Sequence, residues 1–135
     1  MRLPRSLMPL LALAVPAVAA ATTFHGPARA SVTFGGKHVS FHGGNCRRTK
    51  DYFTINIGRT GKGPYFGSTV GKTPFGGAPA GHDGTYTKNA LVTFITGGKS
   101  YAVAHTKLTL KGGRTRGTFT GTLLSGAAVS GSFHC

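Results

Sequence analysis

The chain has 135 residues, of which 16 are Lys or Arg and only two are acidic, a formal net charge of +14. Its 22 glycines disfavour long helices, each costing about 1 kcal/mol against alanine in a helix interior. Catalysis by paired carboxylates has only Asp51 and Asp83 to draw on. A field of this sign attracts anionic lipid surfaces, anionic polymers and nucleic acid.

In chain order, Arg2 and Arg5 precede an uncharged apolar run from Leu7 to Ala21 that Pro9 and Pro16 interrupt. The run is too short to cross a hydrocarbon core of ~30 Å as a helix, and nothing else in the chain reaches transmembrane length. Small residues close it at Ala17-Val18-Ala19 and Val18-Ala19-Ala20. This is the pattern of a cleaved secretory signal over residues 1–21, with a later permitted site at Ala28-Arg29-Ala30. One domain over 31–135 follows, long enough for a single core.

Cys46 and Cys135 are the only cysteines. No C-x-x-C motif and no local His/Cys cluster surrounds either, so in an exported chain they read as a structural disulfide. The chain-entropy model gives about 4–5 kcal/mol for a loop of that length. That is a sizeable share of the ~5–15 kcal/mol that holds a domain together.

Val32, Phe34, Val39 and Phe41 alternate with polar neighbours around Gly35-Gly36, as a hairpin would. Phe53, Ile55 and Ile57 define one face of a half-buried strand. Residues 58–84 are rich in Gly, Pro, Lys and Thr, with one short strand expected near 65–70 and a long loop over 73–84. Ala90 to Thr96 is apolar on both faces, as expected of a central strand. Gly97-Gly98 turns it into a strand over Tyr101 to Leu110, and Gly112-Gly113 turns again into Arg114 to Leu124. There Phe119 and Leu123 share a face with Gly117 and Gly121, opposite Arg114, Arg116, Thr118, Thr120 and Thr122. The final strand sets Val129, Phe133 and Cys135 against Ser130, Ser132 and His134. About seven or eight strands at this spacing predict an antiparallel β-sandwich or small barrel.

Candidate chemistry is sparse. His82 and Asp83 are neighbours in a Gly-rich loop, and no G-x-S-x-G elbow presents a nucleophile. His38 and His42 have i, i+4 spacing, but on a strand four residues span ~13 Å, too far to share one ion. Gly58-Arg59-Thr60-Gly61-Lys62-Gly63 lacks the spacing of a phosphate-cradling loop. The cations Arg47, Arg48, Lys50, Arg59, Lys62 and Lys72, with Tyr65, Phe66 and Phe75 between them, are the best candidates for anion contact.

The segments Gly117-Thr-Phe-Thr-Gly-Thr-Leu123 and Val129-Ser-Gly-Ser-Phe-His-Cys135 look like the closing hairpin of many small secreted bacterial proteins of unknown function. Taken with Phe53-Thr-Ile-Asn-Ile-Gly58 a few residues after Cys46, they resemble the mycobacterial lipoprotein-antigen family. The chain departs from that family in lacking a lipobox cysteine. The resemblance implies a disulfide-closed β fold at the cell envelope and carries no catalytic residue.

The sequence therefore predicts a secreted or envelope-associated bacterial β domain, closed by Cys46–Cys135, without cofactor or metal. It is expected to be a non-catalytic binding module for an anionic polymer or lipid surface, with nucleic acid as a further anionic partner. The alternatives are a small exported hydrolase using His82 and Asp83, and a carrier enclosing a hydrophobic ligand among its phenylalanines.

Overall fold

The computed structural model describes residues 21–72, 74 and 76–135, so most of the expected signal segment lies outside the described residues, as do Thr73 and Phe75. Eleven strands are found among the described residues: β1 (Arg29–Phe34), β2 (Lys37–His42), β3 (Gly44–Arg48), β4 (Tyr52–Gly58), β5 (Tyr65–Gly71), β6 (Gly84–Tyr86), β7 (Ala90–Thr96), β8 (Lys99–Ala102), β9 (Ala104–Lys111), β10 (Arg116–Thr122) and β11 (Ala128–His134). They form a six-stranded sheet, β2-β1-β11-β10-β9-β6, and a five-stranded sheet, β3-β4-β5-β7-β8. All neighbouring strands are antiparallel.

The count exceeds the seven or eight read from the sequence, and both sheets are open, so the molecule is sandwich-like and not a closed barrel. Three additions account for the difference. β3 (Gly44-Asn-Cys-Arg-Arg48) has no hydrophobic alternation to announce it. β6 is only three residues long. The expected single strand from Tyr101 to Leu110 is two: Val103 is a corner where the chain leaves the five-stranded sheet as β8 and enters the six-stranded sheet as β9. The Val103 amide still bonds the Val92 carbonyl at 3.0 Å, which ties the corner to the sheet it leaves. Gly43 (φ 83°) makes the corresponding change of sheet between β2 and β3. Strands that change sheets in this way are the usual means of turning the corner of a sandwich.

β7 also differs from expectation. Only one of its faces is covered: Val92 and Phe94 are buried, whereas Leu91 is 64% exposed. Each sheet meets the other on one side and water on the other, so β7 has no second core to enter.

The core lies between the sheets. Seven of the nine phenylalanines are buried there, with Ile55, Ile57, Leu108 and Leu110. Their packing depends on glycine. In the β10–β11 ladder Gly117 faces Phe133 and Phe119 faces Gly131. A Cβ on Gly131 would lie 2.6 Å from the Phe119 ring, and one on Gly117 would collide with the Phe133 ring. Each ring thus covers the bare backbone opposite it, which offsets the weakness of glycine in a strand.

Ala30 lies within β1, opposite Phe41 on one side and Phe133 on the other. Signal cleavage after Ala30 would divide this central strand, whereas cleavage at 19–21 leaves it whole.

The disulfide joins the sheets. Cys46 sits on β3 and Cys135 directly follows β11, with Cα atoms 5.6 Å apart and a sequence separation of 89. Replacing both cysteines (Cys46→Ala with Cys135→Ala) should lower the unfolding free energy by about 4 kcal/mol in a denaturant titration; an unchanged midpoint would show that the link constrains nothing. A second prediction concerns Ser68, buried between Ile55 and Val92, whose Oγ has no hydrogen-bond partner. A buried hydroxyl without a partner is destabilising. Ser68→Ala should therefore raise stability by about 1 kcal/mol, and a loss would mean that the hydroxyl is satisfied in solution.

Candidate anion-binding surface

The outer face of the six-stranded sheet is a register-aligned grid. Pairing places His42, Arg29, His134, Arg116 and Lys111 directly opposite one another on β2, β1, β11, β10 and β9. Two residues along each strand, a second row reads Ser40, Ser31, Ser132, Thr118, Thr109 and, on β6, Thr85. A third row reads His38, Thr33, Ser130, Thr120 and Lys107. Strand spacing sets the interval within a row at about 4.8 Å, and the rows lie about 6.7 Å apart. The first row therefore strings its cationic and imidazole groups over roughly 19 Å.

The hydroxyl rows are partly knit together. Ser31 and Ser132 Oγ lie 3.3 Å apart, Thr85 and Thr109 Oγ1 lie 3.0 Å apart, and Thr33 Oγ1 is 3.0 Å from His38 Nδ1. The positions of the three rows carry no acid, no Phe, Tyr or Trp and no aliphatic side chain, and their only rings are the imidazoles of His38, His42 and His134. A shallow depression of about 590 Å³ follows the cationic row and reaches Ser40, Thr118 and Ser132. A polar outer face is ordinary for an antiparallel sheet. The directly opposed Arg116 and Lys111 are not, because such like-charged pairs are mutually destabilising and opposite-sign pairs are the stabilising choice.

Asp51 lies off this grid, whereas Asp83, immediately before β6, continues the first row beyond Lys111 and feels the charge of Arg116. Asp83 accepts hydrogen bonds from the backbone amides of Gly113 (3.0 Å) and Arg114 (2.7 Å) in the β9–β10 turn. These two bonds hold its carboxyl below the ordinary value of 3.8, with the nearby charges of Arg116 and Arg114 acting in the same direction. Arg114 in turn adopts a left-handed backbone (φ 59°) and donates from one guanidinium nitrogen to the carbonyls of Thr49 (2.8 Å), Ala80 (3.1 Å) and Tyr52 (3.2 Å). The neighbouring His82 is held otherwise: the Tyr86 hydroxyl donates to the His82 carbonyl at 2.6 Å and lies 3.2 Å from its Nδ1. The carboxylate of the expected His82/Asp83 pair is therefore committed to the next turn.

Of the six cations expected to contact an anion, Arg47 and Lys72 meet in a groove of about 450 Å³ on the outer face of the five-stranded sheet. Arg48 is diverted: its guanidinium donates to the Arg114 carbonyl at 3.3 Å, across the end of the sandwich. Lys50, Arg59 and Lys62 are exposed and lie outside the groove. Phe66 is core, and Tyr65 is half-buried, its hydroxyl donating to Asn56 Oδ1 at 2.6 Å. Burial pushes the Tyr65 phenol upward.

The six-stranded face escaped sequence reading although its parts were visible. The sequence sets Arg114, Arg116, Thr118, Thr120 and Thr122 on one face of a strand, and Ser130, Ser132 and His134 on one face of the next; Arg114 instead lies in the turn before β10 with a left-handed backbone. What was missing was the register that aligns them with β1, and β1 pairs with a strand about a hundred residues away. All six histidines are exposed, as expected, and no group of three metal-ligating side chains converges among the described residues. No helix among them is long and apolar enough to cross a membrane.

No protein-family model, curated protein or solved structure matches this chain. The class that fold and surface define is a disulfide-linked antiparallel β-sandwich with a basic, hydroxyl-lined outer face.

Asp83 makes a pH prediction. Its depressed pKa means that its contribution to stability is present above the ordinary carboxylate range and is lost as pH falls through the lowered value. Asp83→Asn should be less stable than the parent at pH 7, and its stability should change less between pH 5 and pH 2.5. Parallel stability curves for the two proteins over that range would assign acid sensitivity elsewhere.

Proposed function

We propose that this chain is an exported, non-catalytic binding module of the bacterial envelope or its surroundings, and that its partner is a hydrophilic polyanion. The observation that carries the reading is the row His42, Arg29, His134, Arg116 and Lys111, flanked by hydroxyls and free of acid up to Asp83 at its end. The repulsion between the opposed Arg116 and Lys111 is relieved when a chain of anions lies across the strands. Its chemistry also selects among polyanions. Nucleobases and sugar rings are held best by stacking on large aromatic side chains, and this face carries no Phe, Tyr or Trp, only the imidazoles of His38, His42 and His134. A lipid surface is held by apolar insertion as well as charge, and the exposed Leu91 and Leu124 lie off the grid. What remains is a polymer of phosphodiester-linked polyol, whose phosphates meet Arg29, Arg116 and Lys111 and whose hydroxyls meet the Ser/Thr rows.

Export is supported by the N-terminal leader pattern, and an oxidised Cys46–Cys135 pair is compatible with an extracellular or envelope location. The similarity of the closing strands to the mycobacterial lipoprotein-antigen family points to the same compartment. The interior of the sandwich is occupied by phenylalanine, isoleucine and leucine side chains, which gives a hydrophobic-ligand carrier little support.

The test is retention on an immobilised polyol-phosphate polymer at two salt concentrations, against anionic vesicles and single-stranded nucleic acid. Arg29→Glu with Lys111→Glu and Arg116→Glu should weaken retention by about tenfold or more at low salt, while Lys50→Glu with Arg59→Glu and Lys62→Glu, an equal change in net charge, should have a much smaller effect. Equal losses would reduce the effect to net charge. Tighter retention on vesicles or nucleic acid would reassign the partner.

A further inference from the structure

The groove on the opposite face of the molecule has a different composition and its own logic. Across the β3–β4 ladder Asn45 faces Asn56. Their amides are oriented in opposite senses by neighbours. Asn45, which lines the groove, donates from Nδ2 to the His25 carbonyl at 3.2 Å, leaving its Oδ1 as an acceptor. Asn56 Oδ1 accepts from the Tyr65 hydroxyl at 2.6 Å, leaving its Nδ2 as a donor. Phe24 packs on Tyr65 with ring centroids 6.1 Å apart and steadies that arrangement.

The groove thus holds, side by side, a fixed acceptor and a fixed donor. Its walls carry two rings, Phe24 and Tyr52, and two cations, Arg47 and Lys72. At about 450 Å³ it falls within the range of small-molecule pockets. Each element has a counterpart in one kind of ligand. A sugar hydroxyl both donates and accepts, so vicinal hydroxyls satisfy an amide acceptor and an amide donor placed together. The apolar face of a pyranose needs a ring to cover it. A carboxylate or phosphate substituent on the sugar meets the guanidinium and the ammonium through charge-assisted hydrogen bonds.

We propose that this groove binds a single anionic sugar residue, with Asn45 and Asn56 taking its hydroxyls, Phe24 or Tyr52 covering its apolar face, and Arg47 and Lys72 taking its acid group. The site is separate from the six-stranded face and does not depend on the reading of that face.

The experiment is a residue-resolved NMR titration of the intact, disulfide-linked protein with D-glucuronate, glucose 6-phosphate, glucose and adenosine monophosphate. The expected result is saturable shifts of the amides around Asn45, Thr54, Asn56 and Lys72 with both acidic sugars. Glucose should bind about tenfold more weakly, as loss of a charge-assisted contact implies. Arg47→Ala with Lys72→Ala, both exposed positions that leave the core intact, should weaken glucuronate binding by about tenfold or more and leave glucose little changed. Asn45→Ala should weaken all the sugars together. Absence of saturable shifts with either acidic sugar overturns the proposal. So does tighter binding of the nucleotide, which would make the groove a nucleotide site. The Arg29, Lys111 and Arg116 charge-reversal protein should bind glucuronate in the groove as the parent does; an equal loss there would show that the overall field, and not the groove, holds the ligand.

Discussion

One end of the sandwich depends on the guanidinium of Arg114. It sits on the β9–β10 turn of the six-stranded sheet and collects three carbonyls from segments flanking the other: Thr49 and Tyr52 around the β3–β4 loop, and Ala80 from the segment before β6. The turn that presents it runs through three consecutive left-handed residues, Gly112, Gly113 and Arg114. The first two are glycines, for which this region is free of strain; the third is not. Asp83 compensates by binding the amides of Gly113 and Arg114. Beside them the Cys135 amide bonds the Thr115 carbonyl at 2.7 Å, so the disulfide is anchored to the same turn. Covalent link, guanidinium and carboxylate act on one corner, while elsewhere backbone bonds tie the sheets at the Val103 and Gly43–Gly44 crossings and apolar side chains pack between them.

The economy of acids follows from this. The chain has two, and the carboxylate of one is spent on that corner. The cations of the outer faces are left to face solvent or a partner. On the six-stranded sheet the register gathers them into a row, and on the five-stranded sheet it sets two of them beside rings and amides. The two faces thus differ in kind: one is a flat array of charge, imidazole and hydroxyl, the other a recess walled by Phe24 and Tyr52. A single net charge could not have distinguished them.

Much of the architecture was legible in the residues. Alternation located β1, β2, β4, β10 and β11, paired glycines located their turns, and two cysteines in an exported chain predicted their own partnership. The failures have a common cause. β3 lacks alternation because its inward positions hold Gly44, Cys46 and Arg48, whose neighbours are a glycine-tight contact, a disulfide and the end of the sandwich. Val103 looks like any strand residue, and only tertiary structure makes it a corner. β7 reads as a central strand because Leu91 is apolar, although water covers that side. The candidate surfaces were hidden for a related reason. A strand discloses which residues share its face, but not which strand lies beside it, and the six-stranded row depends on pairings between the two ends of the chain. Arg47 and Lys72 were identifiable as cations; that Asn45 and Asn56 lie between them required the β3–β4 register.

The placement of β1 has a consequence for the order of events in making the protein. β1 lies between β2 and β11, and Ser31 touches Ser132 across 101 residues of sequence. Its N-terminal hairpin has one free edge, and the strand that fills it is the last of the eleven to leave the ribosome. Contacts of such separation form late, because the intervening chain must be gathered first. A polypeptide threaded through a narrow pore therefore cannot complete the six-stranded sheet on the near side while its tail is still being synthesised. For a chain exported as proposed above, completion of that sheet waits until both ends have arrived in one compartment, where the segments carrying Cys46 and Cys135 also meet.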